Sequence, residues 1–480
     1  MSDPLAVLPY ALAAGGGTVD GHDARRLVAA GLTLLRRSAP LVRALAGRRA
    51  GILLPTSPAF VTALAASEGR GAVLVNPLAA AREVASQLAD ADVGAVFTTR
   101  ALAAKLPDGV ARVLLDDAPR TARVLAGDDA RDVDLASHAG DDALELAGDP
   151  ATPGRDEEAA VVYTSAMAGR PLGAVATHRN LVSNGRATVD AGAFTAADHS
   201  LAVLPFSHLF GLVVSGVAPL LAGGRVTTME RFNPIKAAEL IAAEGVTAVV
   251  GVPAVFAALL QAVERRGGLG GHRLRVCICG GAPLAVAVQE RWHAATGVEL
   301  RQGYGLTEAG PVCLFNRPSL PNKLGTLGVA YPGVEVAITD PHTGAALPAG
   351  AVGEICVRGD NVGPGYVSGG AAGLGRWPGG WLRTGDLGEA DGDGYVTFRG
   401  LVKPMFTRNG FNIYPRELEA AVLELPGVRA VRVRAIPEPA REHDIGLDVT
   451  GEVTAEQVKA WCAERLSAYK QPSEVVVAAM

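Results

Sequence analysis

The 480-residue sequence predicts an α/β protein: a large N-terminal domain of parallel-rich sheets with helices and a small β subdomain, then a small α+β C-terminal lid domain. Three observations predict it. The length exceeds what one hydrophobic core usually serves, so at least two domains are expected. The first third alternates apolar strand-like runs with helix-like segments, the rhythm of a parallel sheet with crossover helices. The texture then changes twice, near residue 325 and after Gly400, which sets the large domain at 1–400, the β subdomain at about 325–400 and the lid at 401–480.

Residues 23–48 are Ala/Leu/Arg-rich at helical spacing. Residues 50–54 (AGILL), 72–76 (AVLVN) and 94–98 (GAVFT) are short buried-strand runs, with helices expected over 58–70 and 80–91 between them. Residues 117–158 are acidic, Ala/Gly-rich and poorly periodic, and predict a surface excursion. Strands resume at 159–163, 200–204, 246–252 and 274–279, each an apolar run followed by turn residues and a helix-like stretch. From 325 to 400 short alternating strands (VEVAI, GEICVRG, GYVTFRG) sit between Gly/Pro/Asp turns. In the last part, 415–425 and 454–468 predict helices, with Pro415 suited to a first turn. Residues 430–436, 445–449 and 474–478 predict strands.

Composition excludes several classes. With 49% apolar and 19% charged residues the chain is globular. A net charge of −5 without a basic run argues against nucleic acid as partner. Five cysteines, none in a Cys-x-x-Cys pair, argue against a disulfide scaffold or zinc site. Cys277 and Cys279 read as one face of a buried strand. The N-terminus lacks a basic leader and no apolar run is long enough for a membrane span, so a cytoplasmic protein is expected.

The most informative stretch is YTSAMAGRPLGA at 163–174, a small-residue loop after an apolar strand, suited to cradling phosphate on backbone N–H groups. It is followed in order by VLPFSHLFGL (203–212), CGGAPL (279–284), QGYGLTEAG (302–310), LRTGDLGEADGDGY (382–395) and NGFNIYPRELE (409–419). On these six stretches the chain resembles the adenylate-forming (AMP-binding) superfamily: acyl- and aryl-CoA ligases, the adenylation domains of nonribosomal peptide synthetases, and luciferases. The resemblance is closest to the acyl/aryl-CoA ligase branch.

The resemblance implies a carboxylic acid activated on ATP as an acyl adenylate, then captured by a thiol, either CoA or a phosphopantetheine. Thr164, Ser165 and Gly169 would belong to the phosphate loop. Gly281, Ala282 and Pro283 would wall the adenine, Tyr304 and Gly305 would lie against the nucleotide, and Asp386 would accept from both ribose hydroxyls. Thr307 would donate to the α-phosphate and Glu308 would hold Mg²⁺. His208, Phe210, Gly280 and Gly305 would form the acyl pocket. Gly410, Phe411 and Asn412 would face the thiol. His208, Thr307, Glu308 and Lys403 are the catalytic candidates. PFSHLFG offers no carboxylate for an α-amine, so a non-amino acid, or its CoA thioester, is expected as substrate.

The chain departs from the family in three places. In the phosphate loop Ala166, Met167, Ala168 and Leu172 replace a glycine, two hydroxyl residues and a lysine. Arg170 adds charge where the family also tolerates a basic residue. At the domain junction the run is Gly400-Leu401-Val402-Lys403-Pro404, with Leu401 for a ribose-binding arginine and Pro404 at the hinge aspartate. Proline locks φ, so a hinge that turns there is hindered. Arg399, two residues before Leu401, would share its face in an extended segment. No lysine follows Lys470 in Tyr469-Lys470-Gln471-Pro472, and the family's catalytic C-terminal lysine has no counterpart. Three functions stay open: a CoA ligase with weakened adenylation, an ATP-independent acyltransferase delivering an acyl group to an acyl carrier protein, and a non-catalytic adenylate or CoA binder.

Overall fold

The computed structural model describes residues 4–68, 71–116, 120–127, 129–135, 153–164, 171–367, 374–402 and 406–478. Among these residues two nine-stranded sheets form the body of the large domain. One runs in parallel through Arg225–Thr228, His199–Ala202, Ala248–Gly251, Val276–Cys279 and Leu300–Gly305, then turns antiparallel at Val312–Phe315. The other carries the parallel strands Arg49–Leu53, Ala72–Leu74, Val93–Thr98 and Glu158–Thr164. The α/β class expected from the alternation is therefore the class found.

The structure refines one expectation and corrects another. The helical stretch within 23–48 is two helices, Ala24–Arg37 and Ala39–Ala44. Ser38 divides them: its hydroxyl accepts from the Leu41 N–H, and Pro40 fits the first turn of the second helix, where no N–H is needed. Within the expected excursion at 117–158, Thr121–Ala126 and Asp129–Asp134 pair as a hairpin that extends the second sheet. Ala122 and Val124 point inward and the Arg and Asp side chains outward. With Val133 these are three inward apolar positions, too few to carry a period-two signal against that acidic background.

The β subdomain pairs Val334–Thr339, Val352–Gly359, Trp381–Ala390 and Val396–Leu401 antiparallel. The C-terminal unit has its own core, with Ile413, Leu418, Val422, Ile445, Leu447 and Val458 buried together. Lys470 joins it to the large domain. Its Nζ lies 3.2 Å from Glu83 on helix Ala81–Asp90 and 2.6 Å from Glu417, and the residue is 3% exposed. The Ser467 hydroxyl also donates to Glu83, and Arg82 reaches Glu424. All five cysteines are free and buried. Among the described residues no helix is long and apolar enough to cross a membrane.

Candidate active site

The carboxyl ends of the parallel strands open on a cavity of about 570 Å³, closed on its far side by the small unit. Ligands of open α/β sheets bind at this end of the strands. Strand Val276–Cys279 delivers Gly280, Gly281, Ala282 and Pro283 to the wall, and strand Leu300–Gly305 delivers Tyr304 and Gly305. Gly305 is dictated by space: a Cβ there would sit 1.8 Å from the Pro311 carbonyl oxygen. Thr307 and Glu308 follow in a short turn of 3-10 helix, Thr307–Ala309. His208 and Phe210 enter from the start of the π-helix Phe210–Val217, a wide helical turn of the kind found at functional sites. Thr164 and Leu172 stand opposite each other at the ends of an antiparallel pair.

The small unit completes the site. Phe411 stacks on Tyr469 at 4.2 Å between ring centroids and lies 5.6 Å from the His208 ring. Gly410 has φ +77°, and a Cβ there would meet Val252 of the large domain at 2.7 Å, so glycine lets the hairpin close on the sheet. Asn412 stands opposite Thr407 in that hairpin.

Electrostatics divide the cavity. Burial pushes Asp386 up to about 6, against the hydrogen bond from the Tyr304 hydroxyl, with Glu354 and Glu308 adding to the rise. Burial also raises Glu308, opposed by the Tyr366 hydroxyl, which donates to it at 2.8 Å. Burial lowers His208 to about 4, which leaves a neutral imidazole at neutral pH. Among the described residues the lining holds two carboxylates and no lysine or arginine. Val214, Ile278, Val312 and Phe315 line the cavity together with Phe210 and make part of its wall apolar.

Of the residues singled out from sequence, Thr164, His208, Phe210, Gly280, Gly281, Ala282, Pro283, Tyr304, Gly305, Thr307, Glu308, Asp386, Gly410 and Phe411 all line this one cavity. Ser165, Gly169, Lys403 and Pro404 lie outside the described residues, as does the Asn412 side chain. Arg399 does not share the face of Leu401. A bulge opposite Leu387 and Gly388 breaks the alternation, so Phe398 and Leu401 line the cavity while Arg399 pairs with Glu389 at 2.8 Å. Leu172, in the lysine position, is 5% exposed and part of the wall.

Sequence reasoning passed over Gln302, Tyr366 and Tyr469. Gln302 is 4% exposed and faces the cavity. It opens the QGYGLTEAG run, so its signal was in view. Tyr366 carried no motif; only the fold brings it to Glu308.

The residues also fit a divalent cation of one particular kind. Among the described residues no three His, Cys, Asp or Glu side chains cluster as a metal cage. Glu308 is a lone hard-oxygen donor, which suits Mg²⁺ arriving on nucleotide phosphates.

Comparison with known proteins agrees with this geometry. Residues 40–367 match the AMP-binding enzyme family model. A feruloyl-CoA synthase from an Amycolatopsis species is 32% identical over 89% of this chain and 84% of its own length. A malonyl-CoA ligase solved with methylmalonyl-CoA and AMP is 28% identical, covers 100% of this chain and 99% of its own, and superposes with a TM-score of 0.78. An ATP-bound MatB from Rhodopseudomonas palustris is 29% identical over 96% of this chain and 91% of its own, with a TM-score of 0.67. The chain belongs to the AMP-binding enzyme family, among the acyl- and aryl-CoA ligase-like proteins.

Proposed function

We propose that this chain works on the thioester side of CoA-ligase chemistry, with adenylation weakened, and takes a non-amino monocarboxylic acid with an apolar or aryl body. One observation carries the reading. The Gly410–Phe411 loop sits at the cavity beside His208, and among the described residues no lysine or arginine lines that cavity.

The better superposition on a ligase holding an acyl-CoA and AMP than on an ATP-bound one supports the same arrangement. In this half-reaction the thiolate attacks the acyl carbonyl carbon. The carbon–oxygen bond to AMP breaks, AMP leaves with the electron pair, and the thiol proton goes to solvent. Asp386 and Tyr304 hold the nucleoside, and Thr307 donates to the phosphate. When bound, Mg²⁺ would supply charge neutralisation on the phosphates, held by Glu308. The neutral His208 and the apolar wall take an uncharged acyl body. A second carboxylate would be buried there without a counter-ion, at a cost of several kcal/mol.

The buried Lys470 clamp favours a second reading. A small domain held in one arrangement suits acyl transfer between thiols without ATP, from an acyl-CoA to a carrier-protein phosphopantetheine.

The test supplies cinnamoyl adenylate and CoA to the purified protein and follows cinnamoyl-CoA by absorbance. In parallel, pyrophosphate release is measured from ATP and cinnamic acid. Thioester should form, with pyrophosphate release slower by on the order of 10²-fold than in a control ligase. No thioester from the adenylate, or pyrophosphate release at the control rate, refutes the reading. Transfer from cinnamoyl-CoA to a holo carrier protein, followed by mass spectrometry, tests the second one.

A further inference from the structure

A second cavity, of about 240 Å³, adjoins the first and shares Glu308, Tyr366 and Leu374 with it. Its remaining wall is Gly363–Gly365, Leu382 and Arg376. Among the described residues Arg376 is the only lysine or arginine lining either cavity.

Its placement is tied to the site. One guanidinium nitrogen donates to the Gly363 carbonyl oxygen, and the Gly363 N–H donates to the Glu308 carbonyl oxygen at 2.9 Å. Tyr366, three residues on, donates to the Glu308 carboxylate at 2.8 Å and stands opposite Ala174. Ala174 lies two residues beyond Leu172 on the same strand, so the two share a face. The cavity with the guanidinium therefore flanks the strand whose start has lost its positive charge. No carboxylate among the described residues pairs with Arg376. Among the described residues only one of its five N–H donors is bonded, and the exposed guanidinium presents the others in a planar fork that matches phosphate oxygens.

We propose that Arg376 and the second cavity form a polyphosphate subsite that takes the pyrophosphate end of the nucleotide in place of the missing lysine. The inference rests on the AMP-binding reading of the first cavity and deepens it. Charge for the leaving group comes from the β subdomain instead of the phosphate loop, which leaves adenylation slow but not abolished.

Isothermal titration with magnesium pyrophosphate, and separately with AMP, tests it on the wild type, Arg376→Gln and Arg376→Lys. Wild type should bind both. Arg376→Gln should bind AMP as the wild type does and lose pyrophosphate affinity by about tenfold or more, the worth of a charge-assisted contact. Arg376→Lys, which keeps the charge but not the fork, should fall between. Equal pyrophosphate affinity in wild type and Arg376→Gln, with AMP bound by both, overturns the Arg376 proposal and leaves the AMP reading standing. A wild type that binds neither ligand overturns both. Should Arg376→Gln lose AMP as well, Arg376→Lys decides: AMP retained with weaker pyrophosphate supports the subsite, and AMP retained with wild-type pyrophosphate affinity refutes it.

Discussion

The Tyr304 hydroxyl donates to the Asp386 carboxylate at 2.6 Å, in the cavity that Gly281–Pro283 also line. The bond orients both side chains before any nucleotide arrives, and it gives the site a pH dependence. Asp386 is held at about 6, and only its charged form accepts freely from ribose hydroxyls. Affinity for adenosine, which carries no phosphate to ionise near pH 6, should be full above that value and fall as pH drops through it. His208, at about 4, adds no inflection between about pH 5 and pH 8. Tyr304 lowers the Asp386 value, so Tyr304→Phe should move the midpoint upward, and Asp386→Asn should flatten the profile. Titration of adenosine binding against pH checks all three; a midpoint unmoved by Tyr304→Phe would show that another group titrates.

The Lys470 clamp makes the small unit's position a matter of buried charge. Replacing Lys470 with Met leaves Glu83 and Glu417 facing each other in the interior without a cation. Breaking a buried pair from one side costs about 3–5 kcal/mol. Lys470→Met should therefore unfold at lower temperature, and limited proteolysis should release residues beyond 402 before the large domain is cut. Unchanged melting and cleavage would mean that Phe411, Tyr469 and Gly410 hold the interface alone.

Much of this was legible before the structure. The motifs from Gly280 to Asp386 were joined into one site by the family resemblance; hydrophobic period and turn residues alone put Gly280 and Tyr304 near the ends of apolar strands and left Asp386 inside one. Arg399 was not legible, because a bulge inverts the face on which a residue lies and leaves no mark in the residue types. Arg376 and Tyr366 were hidden for another reason: they sit on two-residue strands, Tyr366 at the edge of the second nine-stranded sheet and Arg376 in the β subdomain, and come near Glu308, Tyr366 directly and Arg376 through Gly363, only through long-range packing. The hairpin at 121–134 was lost in acidic sequence whose inward positions are only Ala122, Val124 and Val133.

Beneath the parallel sheet, Asp198 accepts from Arg275 at 2.5 and 2.7 Å and from the Thr247 hydroxyl at 2.7 Å. Burial raises its pKa, but the bonds from Arg275, Thr247 and the Thr195 N–H outweigh that and hold it at about 2. Its contribution is present above the unfolded carboxylate value of about 3.9 and is lost as pH falls toward 2. Asp198→Ala should melt well below the wild type near neutral pH, with about 3 kcal/mol lost, because Arg275 is left without its partner. The gap should narrow in acid. Melting curves near pH 7 and pH 3 check this; a gap that stays constant would assign the loss to packing.

The proposed function makes Gly280 the residue that limits acyl size. A Cβ there would lie 3.1 Å from both the Phe210 ring and the Gly303 carbonyl oxygen. Only the ring can give way, and it gives way into the acyl pocket. Gly280→Ala should therefore leave AMP binding unaltered and discriminate among thioesters by bulk. One carbon in an apolar pocket is worth about 1–3 kcal/mol, so cinnamoyl-CoA should lose roughly 10- to 200-fold in affinity. Acetyl-CoA, whose methyl stops short of Phe210, should lose little. Competition titrations with the two thioesters measure the ratio. Equal losses would place the acyl body away from Phe210, and a selective loss of acetyl-CoA would reverse the direction in which the pocket runs.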